Sequence, residues 1–175
     1  MLKRAFNIEF GKLSDHSLDY IQGILQDTRI TTILSLKNLS VEELDWQYKE
    51  GWNTIGALLS HIVGIETYFR IEFVEGRKLT DEENERWTPA LDMGVHLPKL
   101  IIRQPVEDYV AQLTESRELM LDALTKLTHE DLIRRIDDYD DETGCNLAWV
   151  LYHMAEDEIY HRGQISMIRK LYKDR

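Results

Sequence analysis

A chain of 175 residues, 43% hydrophobic and 30% charged, carries enough apolar side chain to bury a core without disulfides or structural metal. Its net charge of −11 argues against nucleic acid and anionic membrane surfaces as partners, because such binding draws on clustered Lys and Arg, which are scattered here. No apolar run approaches the ~18 residues of a membrane span, the N-terminus lacks the apolar centre of a signal peptide, and a single cysteine excludes an intramolecular disulfide. The expectation is one cytoplasmic domain spanning 1–175.

The helical period predicts a first helix over 15–38, with Leu18, Ile21, Leu25, Ile33 and Leu34 as its apolar stripe. Leu39-Ser-Val-Glu-Glu-Leu44 follows as a short capped turn. A second helix, capped by Asn53 or Thr54, runs to about Glu75 on Leu58, Ile62, Ile65, Phe69 and Phe73. The stretch from Gly76 to Gln104 is long for a compact bundle. Two readings stand for it: a crossover that merely joins parallel helices, or a cover over a site.

Pro105 suits the first turn of a third helix carried by Val106, Tyr109, Leu113, Met120, Leu124 and Leu127. A second capped turn, Leu127-Thr-His-Glu-Asp-Leu132, leads to the acidic run Asp137–Glu142. That run lacks the spacing of a calcium loop and reads as solvated. Asn146 can cap a fourth helix through Leu147, Val150, Leu151, Met154, Ile165, Ile168 and Tyr172, with Arg169, Lys170 and Lys173 set against the negative end of its dipole. No segment alternates with period two, so the fold is all-α: a four-helix bundle with a long crossover between helices 2 and 3. The two capped turns share a pattern, and each leads through a polar loop and an Asn to a helix bearing histidine, His61 or His153. A duplicated helix pair explains that order.

The chemistry concentrates on the fourth helix, where His153, Asp157 and His161 follow one another at a spacing of four. Each fourth residue advances only about 40° around a helix, so neighbours in the series can grip one ion. On a helical wheel His161 falls almost at the centre of the buried face, Asp157 about 50° aside and His153 about 90° away, at the boundary. On the second helix His61 lies about 60° off the stripe centre, within reach of the interior. Geometry therefore prefers His61, Asp157 and His161 as ligands, with His153 as the alternative.

Two neutral imidazoles and a carboxylate suit Zn²⁺, Ni²⁺ or Fe²⁺ and leave open positions. The plainer reading has His61 as a core histidine bonded to a carbonyl, and Asp157 with His161 as an ion pair one turn apart. Cys145, just before the fourth cap, is either a thiol activated by the helix dipole or a packing residue. Trp52 and Trp149 read as core or rim packing, and Glu72 as a partner for a core Arg such as Arg117. No nucleophile elbow, P-loop or dinucleotide fingerprint is present.

Taken together, Leu39-Ser-Val-Glu-Glu-Leu-Asp-Trp46, Trp52 through Glu66, and His153 through Ile165 with its His161-Arg-Gly-Gln164 signature resemble the DinB-like superfamily of metal-binding four-helix bundles. The resemblance covers nearly the whole chain. It implies a divalent metal, Zn²⁺ or Ni²⁺ foremost, held by a second-helix histidine, matched by His61, and by a His-x-x-x-His pair on the fourth helix. His161 matches the last of that pair, and Asp157 stands where the family usually has histidine. Related proteins are transferases and isomerases that use bacillithiol, mycothiol or glutathione. The resemblance thus implies a thiol-dependent transferase acting on a small molecule, and a homodimer. A metal-dependent hydrolase, with His153 or Glu158 as its base, and a non-catalytic metal- or ligand-binding bundle are the alternatives.

Overall fold

The computed structural model describes residues 16–136 and 145–175. In chain order the helices are α1 (His16–Ser35), α2 (Val41–Asp45), α3 (Ile55–Phe69, continued by a π-helical turn Arg70–Val74), α4 (Asp81–Asp92), α5 (Leu97–Leu100), α6 (Val106–Leu124), α7 (His129–Ile133) and α8 (Leu147–Lys173). The acidic run Asp137–Glu142 lies outside the described residues.

Helix starts fall where cap chemistry puts them. Thr54, rather than Asn53, accepts the Ala57 N–H at 3.0 Å, and Asn146 accepts that of Trp149 at 2.9 Å. Both short capped turns form true boxes: Ser40 with Glu43, and Thr128 with Asp131. One departure from a purely helical chain is a two-residue antiparallel pairing of β1 (Arg135–Ile136) with β2 (Cys145–Asn146). Two residues per strand are too few for period-two alternation to show in the sequence.

The long helices α1, α3, α6 and α8 form a four-membered ring in which α1 and α3 each pack on both α6 and α8. Their directions follow from side-chain bonds. Arg162 reaches the Thr28 carbonyl and Arg169 the Ser35 carbonyl, so α8 runs parallel to α1. Arg117 reaches the Leu25 carbonyl and Arg29 that of Leu113, so α6 runs antiparallel to α1. Glu66 accepts from Ser116 at 2.7 Å, and a Cβ on Gly56 would overlap the Tyr109 hydroxyl, so α3 and α6 run parallel. Parallel neighbours need a crossover, which the segment from Gly76 to Gln104 supplies.

That crossover is more than a connection. Its helix α4 lies against α3 so closely that a Cβ on Gly64 would meet the Ala90 Cβ at 3.0 Å. Glycine at 64 therefore sets how near α4 can come, and the approach brings the Ala90 carbonyl onto His61. Two apolar clusters complete the interior. One gathers Leu18, Leu25, Phe69, Met120, Leu147 and Leu151 at one end, and the other Leu44, Ile55, Leu58, Tyr109, Leu113 and Ile165 at the opposite end.

Candidate metal centre

Between the two apolar clusters α3 presents His61, and α8 presents Asp157 and His161 one turn apart. One ligating atom from each lies within 4.8 Å of the others. His61 Nε2 is 3.6 Å from Asp157 Oδ2, and His161 Nε2 is 3.1 Å from Oδ1. The rings meet edge to face with centroids 4.9 Å apart. Both histidines are buried, while Asp157 is 19% exposed and forms the open side of the cluster.

The outer nitrogens fix what the inner ones can do. His61 Nδ1 donates to the Ala90 carbonyl at 2.7 Å, and His161 Nδ1 donates to Gln164 Oε1 at 3.1 Å. A neutral imidazole has one N–H, so each Nε2 then points a lone pair at Asp157. Lone pairs aimed at a carboxylate repel unless a cation lies between. The cation is either a proton on an imidazole or a metal ion. Burial lowers the pKa of His61, outweighing the Ala90 carbonyl and Asp157, which raise it. Burial lowers that of His161 too, but the hydrogen bond and charge of Asp157 and the Gln164 oxygen carry it above its ordinary value. Two imidazole nitrogens and one carboxylate, each imidazole oriented from behind, fit a divalent metal ion.

The remaining candidates fall elsewhere. His153 points out of the cluster, stacks on Trp149 at 4.7 Å and bonds Glu156 at 3.2 Å. Glu158, named as a hydrolytic base, is buried with its oxygens bound by Arg29 at 2.9 Å and 3.1 Å and by Arg117 at 2.9 Å. Burial raises its pKa, but the two guanidinium charges bring it below the ordinary value, so it is neither free nor basic. Glu72 does not pair with Arg117. It lies in the π-helical turn beside the following loop, where it accepts from Lys78 Nζ at 2.8 Å and the Leu79 N–H at 3.0 Å. Cys145 is half-buried in β2. Trp52 and Trp149 are rim residues, both substantially exposed.

Sequence reasoning missed a second polar cluster. Arg29, Glu66, Arg117 and Glu158, one from each long helix, form a closed ion-pair quartet in the core. A signal was available: Arg29 stands ten residues before Leu39 and Arg117 ten before Leu127, while Glu66 follows His61 by five and Glu158 follows His153 by five.

Comparison with known proteins agrees with this architecture. The crystal structure of an uncharacterized protein from Clostridium difficile 630 superposes with a TM-score of 0.70 at 14% identity, over 87% of this chain and 95% of that one. A Streptococcus pneumoniae protein gives 0.67 at 14% identity, over 88% and 91%. At such identities the likeness is one of fold. Among curated proteins none matches. The family profile of the DinB superfamily, however, matches residues 24–165, which take in the bundle and all three converging side chains. This chain belongs to the DinB superfamily.

Proposed function

We propose that His61, Asp157 and His161 hold a divalent metal, with zinc or nickel preferred and iron(II) as the further option, and that the site serves a transferase using a low-molecular-weight thiol. The observation that carries the reading is the convergence of both Nε2 atoms on one carboxylate, with both Nδ1 atoms set against oxygens behind them. An ion bound there would act as a Lewis acid, lowering the pKa of a thiol so that thiolate is available near neutral pH.

The chain's own residues do the rest. Ala90 and Gln164 hold the imidazoles in the tautomer that can donate a lone pair. The apolar walls limit water, and Asp157 at the open side marks where a small molecule would enter. Glu158 has no freedom to act as a base, which favours thiol transfer over hydrolysis. Cytoplasmic location fits the lone cysteine. The exposed face of α8, with Trp149, Tyr152, Tyr160 and Met167, supports a homodimer.

The test loads purified protein with Zn²⁺ or Ni²⁺ and adds glutathione, bacillithiol or mycothiol with a simple electrophile. Expected is S-conjugation above the uncatalysed rate, abolished in His161→Ala and retained in Cys145→Ser. Metal binding without any turnover would leave a binding protein in place of the transferase. Loss of activity in Cys145→Ser would instead make the protein's own thiol the nucleophile.

A further inference from the structure

The crossover helix α4 reaches the candidate centre through one backbone atom. Ala90 lies in its last turn, where carbonyls lack an N–H partner within the helix, because the chain turns off at Met93 in the left-handed region, φ 35°. His61 Nδ1 meets that carbonyl at 2.7 Å. A carbonyl can only accept, so the bond keeps the proton of a neutral His61 on Nδ1 and leaves Nε2 with the free lone pair. With α4 lifted away, the ring could turn and its proton could pass to Nε2, which closes that atom to a metal.

Little else ties α4 to the bundle. Among its 12 residues Ala90 alone is buried, and the helix packs chiefly on α3 and the short α5. Its closest approach is at Gly64, where a Cβ would stand 3.0 Å from the Ala90 Cβ. A helix with so little buried surface belongs among the elements that open locally, below the free energy of global unfolding. We infer that α4 is a clamp coupled to the metal centre: its docking on α3 presets His61 for the ion, and the bound ion keeps α4 docked. The inference rests on the metal reading proposed above. Linkage makes the two effects equal, because the factor by which docking raises metal affinity is the factor by which metal favours docking. Losing the outer hydrogen bond of a ligating histidine typically costs about 10–100-fold in metal affinity. The lower end of that range applies, since Asp157 and His161 stay in place on α8 when α4 opens.

Backbone hydrogen exchange of the unmodified protein, with and without saturating Zn²⁺, tests the coupling, and calorimetry reports metal binding separately. Expected is exchange in α4 slowed by about tenfold. The amides of α7, a short helix packed where α8 begins, should be unchanged. Gly64→Ala, which touches no ligand, should push Ala90 back and weaken Zn²⁺ binding by about three- to tenfold. Adding Ala90→Gly removes the obstructing Cβ while keeping the carbonyl, and should restore the affinity. No Zn²⁺ binding at all would remove the metal reading and this inference with it. Zn²⁺ binding with α4 exchange unchanged, equal slowing of α7, full affinity in Gly64→Ala, or a loss there that Ala90→Gly does not restore would overturn this inference alone.

Discussion

The bundle contains two polar clusters that meet on α8 through the adjacent residues Asp157 and Glu158, one open and one closed. In the closed cluster two guanidinium groups face two carboxylates, the Ser116 hydroxyl and the Leu25 and Leu113 carbonyls take the remaining hydrogen bonds, and charge sums to zero. In the open one, three acceptors converge and supply no donor among themselves unless a histidine takes up a proton. A buried polar group is satisfied from within or requires something from outside. The quartet is of the first kind and the triad of the second.

Internal symmetry sharpens the contrast. Each helix pair gives one Arg and one Glu to the quartet, at matching positions. The triad takes His61 from the first pair and Asp157 and His161 from the second. His153 is the counterpart of His61, but the counterparts of Asp157 and His161 are Ile65 and Phe69. His153 faces the Phe69 ring at 6.3 Å, whereas His61 faces His161 at 4.9 Å. The quartet keeps the repeated sequence pattern; the candidate centre departs from it.

The largest effect should come from opening the closed cluster. Glu66→Ala or Glu158→Ala strands a guanidinium in the core, and losing one partner of a buried pair costs about 3–5 kcal/mol. Urea unfolding of the metal-free protein should show a loss of that size. Asp157→Ala in the same assay should cost less, because its carboxylate is partly exposed and no guanidinium depends on it. Equal losses in the two variants would erase the distinction between closed and open.

Metal titration tests the open cluster from the other side. Apparent binding energies of about 10–16 kcal/mol for four-ligand zinc sites amount to roughly 3 kcal/mol per ligand, or about a hundredfold in affinity. Asp157→Ala should therefore weaken Zn²⁺ binding by about that factor, and Asp157→His should preserve or strengthen it by supplying a second nitrogen on α8. His153→Ala should change little, since His153 points away. Calorimetry on the three variants decides; a hundredfold loss in His153→Ala with none in Asp157→Ala would transfer the role to His153.

How much of this was legible in the sequence differs between the clusters for a physical reason. The triad announced itself because histidines at helical spacing are rare enough to stand out, and the wheel then placed His161 inside and His153 at the edge, as observed. Pro105, the pair Asn53 and Thr54, and Asn146 mark helix starts through cap chemistry, and the length of 76–104 implies either a crossover between parallel helices or a cover over a site. The quartet stayed hidden because Arg and Glu are ordinary surface residues, and only their partners on three other helices make them core residues. No periodicity identifies such a partner, so the sequence alone offers Glu72 as an acid for Arg117 although Glu66 faces it. The hold of Ala90 on His61 was likewise invisible, since any residue has a carbonyl and only the α3–α4 approach at Gly64 brings this one into place.

The smallest effect is a pH dependence, and it follows from the unequal histidines. With its pKa raised above 6.5, His161 contributes stability to the metal-free protein that is fully present below 6.5 and is lost as pH rises through the raised value. With its pKa lowered, His61 contributes stability present above 6.5 and lost as pH falls through the lowered value. Ring-proton shifts of the metal-free protein should therefore give two separate midpoints, His161 above 6.5 and His61 below. Between them a binding metal must displace the proton on His161, so its affinity should fall by about tenfold per pH unit on acidification. Asp157→Asn removes the charge that holds the proton on His161, so in that variant the His161 midpoint should move down towards that of His61. Two histidines titrating together near 6.5 in the unmodified protein would mean that the carboxylate does not act on them unequally, and the open cluster would lose its cation-seeking character.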